Sequence, residues 1–172
     1  MAGRTVTDVI APGLRVLFVG INPGLYTAWS GNHFAGPGNR FWPALHDGGF
    51  TDRLLAPGEK DALLQAGVGI TNVVEHATAT AAELTTDDFR LGARKLEDKV
   101  TQFKPAFVAI LGVGAYKAGF GRRTAAVGEQ PHPLAGARLW VLPNPSGLNA
   151  NYQRPDFARL FAGLREATAT AR

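Results

Sequence analysis

The chain contains no cysteine, which removes disulfides, thiolate zinc sites, a cysteine nucleophile and a cysteine-held iron–sulfur cluster. No apolar run approaches the roughly 18 residues of a membrane span, and no apolar segment follows a basic start. Both absences point to a soluble, cytoplasmic protein that neither enters a membrane nor is secreted. Most catalytic signatures are missing as well: there is no G-x-S-x-G elbow and no H-E-x-x-H pair. The four histidines, His33, His46, His76 and His132, are dispersed without metal-ligand spacing and read as structural or exposed, with His132 a turn residue between two prolines. Charge of one sign is only in slight excess, 18 basic against 14 acidic residues for a net +4. That balance suits an anionic partner such as nucleic acid, and Arg122, Arg123, Arg154, Arg159 and Arg165 form no dense basic run.

What remains is a chain of 172 residues, read as one domain over 1–172 with short flexible termini and long enough to bury roughly 70% of its unfolded surface. Leu14–Val19 is a nearly continuous apolar run, the pattern of a strand covered on both faces, and Val68–Val74, Ala106–Leu111 and Arg138–Leu142 repeat it. Between them, Gly58–Gln65 reads as a short helix closed by Gly67. A helix distorted at Pro43 is expected to begin around Asn39, and His76–Ala82 reads as a loop. From Thr86, read as the cap, Phe89, Ala93, Leu96, Val100 and Phe103 recur at helical spacing until Pro105 forces an end. A last helix carries Phe157, Leu160, Phe161 and Leu164 on one face, and the tail Ala169–Arg172 is expected to fray. Strands alternating with helices predict an α/β fold, a three-layer α/β/α sandwich around a small, mostly parallel sheet.

Two of the apolar runs end alike. One passes into Gly20-Ile21-Asn22-Pro23-Gly24 and the other into Pro143-Asn144-Pro145-Ser146-Gly147. Proline restricts the residue before it to extended conformations, so each asparagine is held at a fixed angle where its strand stops. The carboxyl ends of strands are where open α/β sheets place their ligands. Between the two ends lies a glycine-rich, aromatic stretch from Trp29 to Trp42, too long for a spacer in a compact domain. A third candidate, the turn Gly112-Val113-Gly114 after a strand, resembles half a mononucleotide site, but neither complete phosphate-binding fingerprint is present.

The strand ends therefore offer amides, glycine N–H groups and aromatic planes. An amide does not titrate near neutrality, yet it can orient a water and accept a hydrogen bond. Such a set suits a reaction whose leaving group departs largely by itself while the protein positions water and stabilises charge. An aromatic ring stacked on a flat heterocycle, with backbone groups at its edge, is how flipped bases are held.

Three separated stretches, Gly20-Ile21-Asn22-Pro23-Gly24, Phe34-Ala35-Gly36-Pro37-Gly38-Asn39-Arg40-Phe41-Trp42 and Asn144-Pro145-Ser146-Gly147-Leu148, resemble in order the signatures of the mismatch-specific uracil-DNA glycosylases, the group that includes thymine-DNA glycosylase. The resemblance runs from about Ile10 to Leu164 and takes in Gly69–Glu75 and Ala109–Gly112. It implies a uracil-DNA glycosylase-like sandwich that removes uracil, and to varying degrees thymine or other modified pyrimidines, opposite guanine in double-stranded DNA.

Carried over by position, Asn22 would orient the attacking water and Phe34 would stack on the flipped base. Ile21, Thr27, Asn72 and Asn144 would complete the base pocket, with Thr27 on the C5 side. Pro145, Ser146, Gly147 and Leu148 would form the wedge that fills the vacated space and contacts the orphaned guanine. Glu75 would border the pocket, either assisting the water or pairing in a salt bridge. No metal or cofactor is implied, and one chain would act as a monomer on duplex DNA, associated with the nucleoid of a bacterial-type cytoplasm.

Two departures stand out. Asn149-Ala150 occupies a place where relatives often carry a polar residue and an arginine. Both motif positions that hold aspartate and histidine in classical uracil-DNA glycosylases are asparagine here. The rival readings are a non-catalytic damage-binding module using the same pocket, and a small nucleotide-binding protein built on Gly112-Val113-Gly114.

Overall fold

The computed structural model describes residues 1–171. Five strands form one sheet in the order β2-β1-β3-β5-β4: β1 Val16–Gly20, β2 Val68–Asn72, β3 Phe107–Leu111, β4 Gly128–Glu129 and β5 Arg138–Leu142. The first four in that spatial order are parallel, and the short β4 closes the edge antiparallel to β5. Parallel strands require crossovers, and helices lie in each of them: α1 Leu25–Ser30, α2 Phe41–Asp47 and α3 Lys60–Gln65 between β1 and β2, α4 Thr86–Phe103 between β2 and β3, and α5 Val113–Phe120 between β3 and β5, while α6 Arg154–Thr170 follows the last strand.

Alternation along each strand sorts the core into two faces. Val16, Phe18, Ile70, Phe107, Ala109 and Leu142 pack with residues of α2, α3 and α6. Leu17, Val19, Val108, Ile110 and Val141 pack with residues of α4 and α5. The expected three-layer sandwich is thus built from continuous apolar strands buried on both sides. Phe18 anchors one face, stacking on Phe161 at 5.5 Å and meeting Phe41 and Phe50 edge-on at 5.3 and 5.6 Å.

Several boundaries differ from the sequence expectation for identifiable reasons. The cap of α4 is Thr85, not Thr86, because Thr85 Oγ1 accepts from the Asp88 N–H while the Asp88 carboxylate accepts from the Thr85 N–H, a reciprocal capping box. Pro43 does not distort α2: it falls in the first turn, where its missing N–H would have had no partner. Asn39 precedes that helix, and its carboxamide oxygen accepts from the Phe41 N–H. The sequence pattern marks neither helix α1 nor strand β4. α1 lies partly within what reads as a glycine-rich loop, and β4 has only two residues, Gly128 and Glu129, too few for a periodic signal. The tail expected to fray is helical to Thr170, while Arg172 lies outside the described residues.

Candidate active site

All four parallel strands point their carboxyl ends to the same edge, and the loops leaving β1, β2 and β5 enclose a cavity of about 500 Å³ there. That volume lies within the roughly 300–1,000 Å³ of ligand pockets. Ile21, Asn22, Thr27, Phe34, Asn72, Asn144, Pro145, Ser146 and Leu148 all line it. Gly147 lies in the same loop beside Gly38: a Cβ built on Gly147 would stand 3.0 Å from the Gly38 carbonyl oxygen, so the two loops meet backbone to backbone. Glu75 is not brought in. It is absent from the cavity wall, and its carboxylate faces Lys95 at 3.4 Å, the salt-pairing alternative.

Asn22 is fixed by its surroundings. Its Nδ2 donates to the His76 carbonyl oxygen at 3.0 Å and to Thr78 Oγ1 at 2.8 Å, and the Thr78 hydroxyl in turn donates to the Thr80 carbonyl oxygen at 2.8 Å. A carbonyl can only accept, so the amide nitrogen must be the atom facing His76, and the flip of the carboxamide is decided by chemistry. Both N–H groups are then used, and Oδ1 is left as a neutral acceptor. Nothing in the sequence singles out Thr78, which sits in a plain Ala/Thr stretch. The alternation Thr78-Ala79-Thr80 was the only available signal.

The other cavity amides are aimed differently. Asn144 Oδ1 accepts from the Ser146 N–H at 3.0 Å, and its Nδ2 makes no bond to a described residue. Asn72 is buried at 9% exposure with no side-chain partner among the described residues. Its carboxamide lines the cavity and is open there to a water or a ligand. The N–H groups of Ile21 and Phe34 likewise bond to no described residue. The strand pairing continues past the end of β2, since Val73 and Val74 donate to the Gly20 and Ile21 carbonyls, so those acceptors are occupied.

Phe34 adopts a left-handed backbone conformation, φ 52°, which costs on the order of 1–3 kcal/mol for a residue with a Cβ. That conformation stacks its ring on Phe41 at 4.3 Å while the residue still lines the cavity. Gly20 makes room for it: a Cβ there would lie 2.6 Å from Asn72 Oδ1 and 3.1 Å from Phe34 Cζ. Phe34 is therefore both a core anchor and a cavity wall. Leu148 is the opposite case, 90% exposed at the cavity rim and excluded from the core.

Among the described residues, the cavity wall contains no Asp, Glu, Lys or Arg. His33 is buried at 2% exposure, and its Nε2 lies 2.8 Å from the Thr7 carbonyl oxygen, so Nε2 carries the hydrogen and Nδ1 is the acceptor. Burial holds its pKa below the ordinary 6.5, outweighing the bond to Thr7 and the nearby Asp8 carboxylate. The chemistry on offer is thus orientation and dipoles rather than proton transfer by a charged group. The turn Gly112-Val113-Gly114 is outside this cavity, and Gly112 is packed against the Ile21 side chain, which would stand 3.2 Å from a Cβ there.

Residues 7–165 match the family model of the uracil DNA glycosylase superfamily, and the chain belongs to that superfamily. Membership supports a DNA glycosylase, a hydrolase of DNA repair acting on uracil, with DNA as its substrate. Among solved structures, the chain is similar to the solution NMR structure of a proposed uracil DNA glycosylase from Methanosarcina acetivorans. The TM-score is 0.62 at 18% identity, covering 96% of this chain and 99% of the other. At that identity the likeness establishes the shared fold.

Proposed function

We propose that the protein is a monofunctional, mismatch-directed uracil-DNA glycosylase that takes uracil opposite guanine out of the duplex and hydrolyses its N-glycosidic bond. The observation that carries this reading is the orientation of Asn22, whose two N–H groups are committed to His76 and Thr78, leaving Oδ1 to accept from a water at the cavity. The water oxygen bonds to the sugar C1′ as the C1′–N1 bond breaks, the bonding pair leaves on the pyrimidine, and the water's proton passes to solvent. Breaking runs ahead of forming, because no strong base is at hand to sharpen the nucleophile. The departing anion is met by the N–H groups of Ile21 and Phe34 and by the amides of Asn72 and Asn144, the last held in place beforehand by the Ser146 N–H bond to its Oδ1.

Phe34 supplies the stacking plane, Thr27 borders the C5 side, and Pro145–Leu148 presses into the helix. No lysine lines the cavity, so a Schiff base and strand cleavage are not expected. On this reading the protein acts as a monomer. The test is an excision assay on G:U, A:U and G:T duplexes and on single-stranded uracil DNA, with alkali to reveal abasic sites. Fastest release from G:U is expected. Tight duplex binding without release of free uracil overturns the catalytic reading in favour of a damage-binding module.

A further inference from the structure

Arg40 has no part in the chemistry above, yet it holds an unusual set of partners. Its guanidinium donates to four main-chain carbonyls, those of Pro145, Ser146, Asn149 and Tyr152, and its backbone N–H donates to Pro145 as well. The plane lies 4.7 Å over the Phe157 ring. Every acceptor belongs to one stretch, the connection from β5 to α6 that carries Leu148. Arg53, Arg138, Arg154 and Arg159 each face a carboxylate, whereas Arg40 forms no ion pair among the described residues.

The other bonds of this stretch are local. Ser146 N–H to Asn144 Oδ1, Leu148 N–H to Ser146 Oγ, and Asn149 Nδ2 to the Asn144 carbonyl all span five residues or fewer. They fix the shape of the turn and leave open where it sits relative to the cavity. The planar, multi-donor guanidinium is suited to collecting several carbonyls at once, which an ammonium on a flexible stem is not. Its location at the start of α2, between the Gly36–Asn39 loop and the core, ties the turn to a rigid element.

We propose that Arg40 is a positioning residue that locks the 145–152 loop, and with it Leu148, in place over the cavity before DNA arrives. Pre-ordering a loop lowers the entropy lost on binding, and it delivers the leucine to the duplex at one fixed height. The proposal rests on the reading of Leu148 as the wedge; its structural half, the ordering of the loop, does not.

The test uses Arg40→Met and Arg40→Lys in the full chain, with hydrogen exchange read at the Leu148 and Asn149 amides and in β1. Excision rates are measured on G:U duplex and on single-stranded uracil DNA. In Arg40→Met, exchange at 148–149 should rise at least about tenfold with β1 unchanged, and the duplex rate should fall at least about tenfold more than the single-strand rate. Arg40→Lys should shift both readouts in the same direction by less, and it remains decisive if the methionine variant does not fold. Wild-type exchange at 148–149 in either folded variant, or equal loss on both substrates, overturns the proposal. If the wild-type chain excises uracil from neither substrate, the glycosylase reading and the wedge half of the proposal fall together, and the exchange measurement alone decides whether Arg40 orders the loop.

Discussion

Replacing Asn22 by alanine removes an acceptor from the cavity and two donors from a network, and the two losses have separate signatures. The bonds to the His76 carbonyl and Thr78 Oγ1, at 3.0 and 2.8 Å, each contribute about 0.5–1.5 kcal/mol net, so Asn22→Ala should lose about 1–3 kcal/mol of stability. For a chain of this size each kcal/mol corresponds to about 2–4 °C in Tm. The loss of water orientation is an additional term that stability does not report. A hundredfold drop in the single-turnover rate corresponds to about 2.7 kcal/mol of transition-state stabilisation, and that is the minimum expected on G:U duplex with saturating enzyme. Duplex affinity should stay within a few-fold of wild type, because Leu148 and the 145–148 loop are untouched. Thermal unfolding, duplex binding and single-turnover excision on one preparation separate the terms. A rate within threefold of wild type, whatever the Tm, refutes the assignment of Asn22.

Leu148→Ala should slow excision from G:U duplex and spare excision from single strands, since a leucine 90% exposed supports no core; equal losses on both substrates would remove the wedge assignment. Gly20→Ala would place a methyl 2.6 Å from Asn72 Oδ1 and 3.1 Å from Phe34 Cζ. Overpacking of this kind costs about 1–3 kcal/mol, and both side chains must move into the cavity, so kcat/KM should fall at least about tenfold; unchanged kcat/KM would show that the pocket does not depend on them. His33, held below 6.5 by burial, contributes nothing to the pH dependence of stability above that value, where both states are neutral. Below pH 6.5 the unfolded chain binds a proton that the folded chain does not, so the urea midpoint should fall with pH until it passes the folded pKa. His33→Gln should flatten that slope between pH 6.5 and 5. The same slope in the variant would mean that other groups cause it.

The four parallel strands are readable because strands buried on both faces leave a nearly continuous apolar trace, as at Leu14–Val19, and because the Asn-Pro dipeptides mark where two of them stop. The helix α1 was not readable, since six residues beginning at a glycine without a side-chain cap carry too little periodicity to separate from a glycine-rich loop. Asn22, Asn144 and Phe34, marked in the sequence by residue type at the strand ends, and Asn72, marked by the family resemblance, all line the cavity. Residues whose part lies in bonds to distant segments carry no such mark. Thr78 matters because its hydroxyl can accept from Asn22 while donating to the Thr80 carbonyl, a relation between segments more than 50 residues apart that no local pattern encodes. Arg40 was visible as a letter of the second motif, but its four partners are backbone carbonyls, which sequence does not distinguish from any others. For Glu75 the sequence leaves two roles open, assisting the water or pairing in a salt bridge, and the fold turns its carboxylate away from the cavity toward Lys95.

A cavity walled by amides and backbone donors, with no ionised side chain, narrows the reactions it can favour. A positively charged wall would stabilise the departing pyrimidine anion and also bind the intact, neutral base's carbonyls and every nearby phosphate, so much of its effect would be uniform binding. Neutral donors held by the fold strengthen as charge develops on the base and cost no reorganisation when it does. The same neutrality applies to the nucleophile. A carboxylate at residue 22 would face the His76 carbonyl, acceptor against acceptor at about the 3.0 Å now spanned by a hydrogen bond. The surroundings of residue 22 are thus built for an amide, and an enzyme that cannot strengthen its water by deprotonation must rely on the ease with which the base leaves. Under the proposed mechanism, normal paired bases, which must be both unstacked and expelled without acid assistance, would be disfavoured twice, first at extrusion and again at bond cleavage.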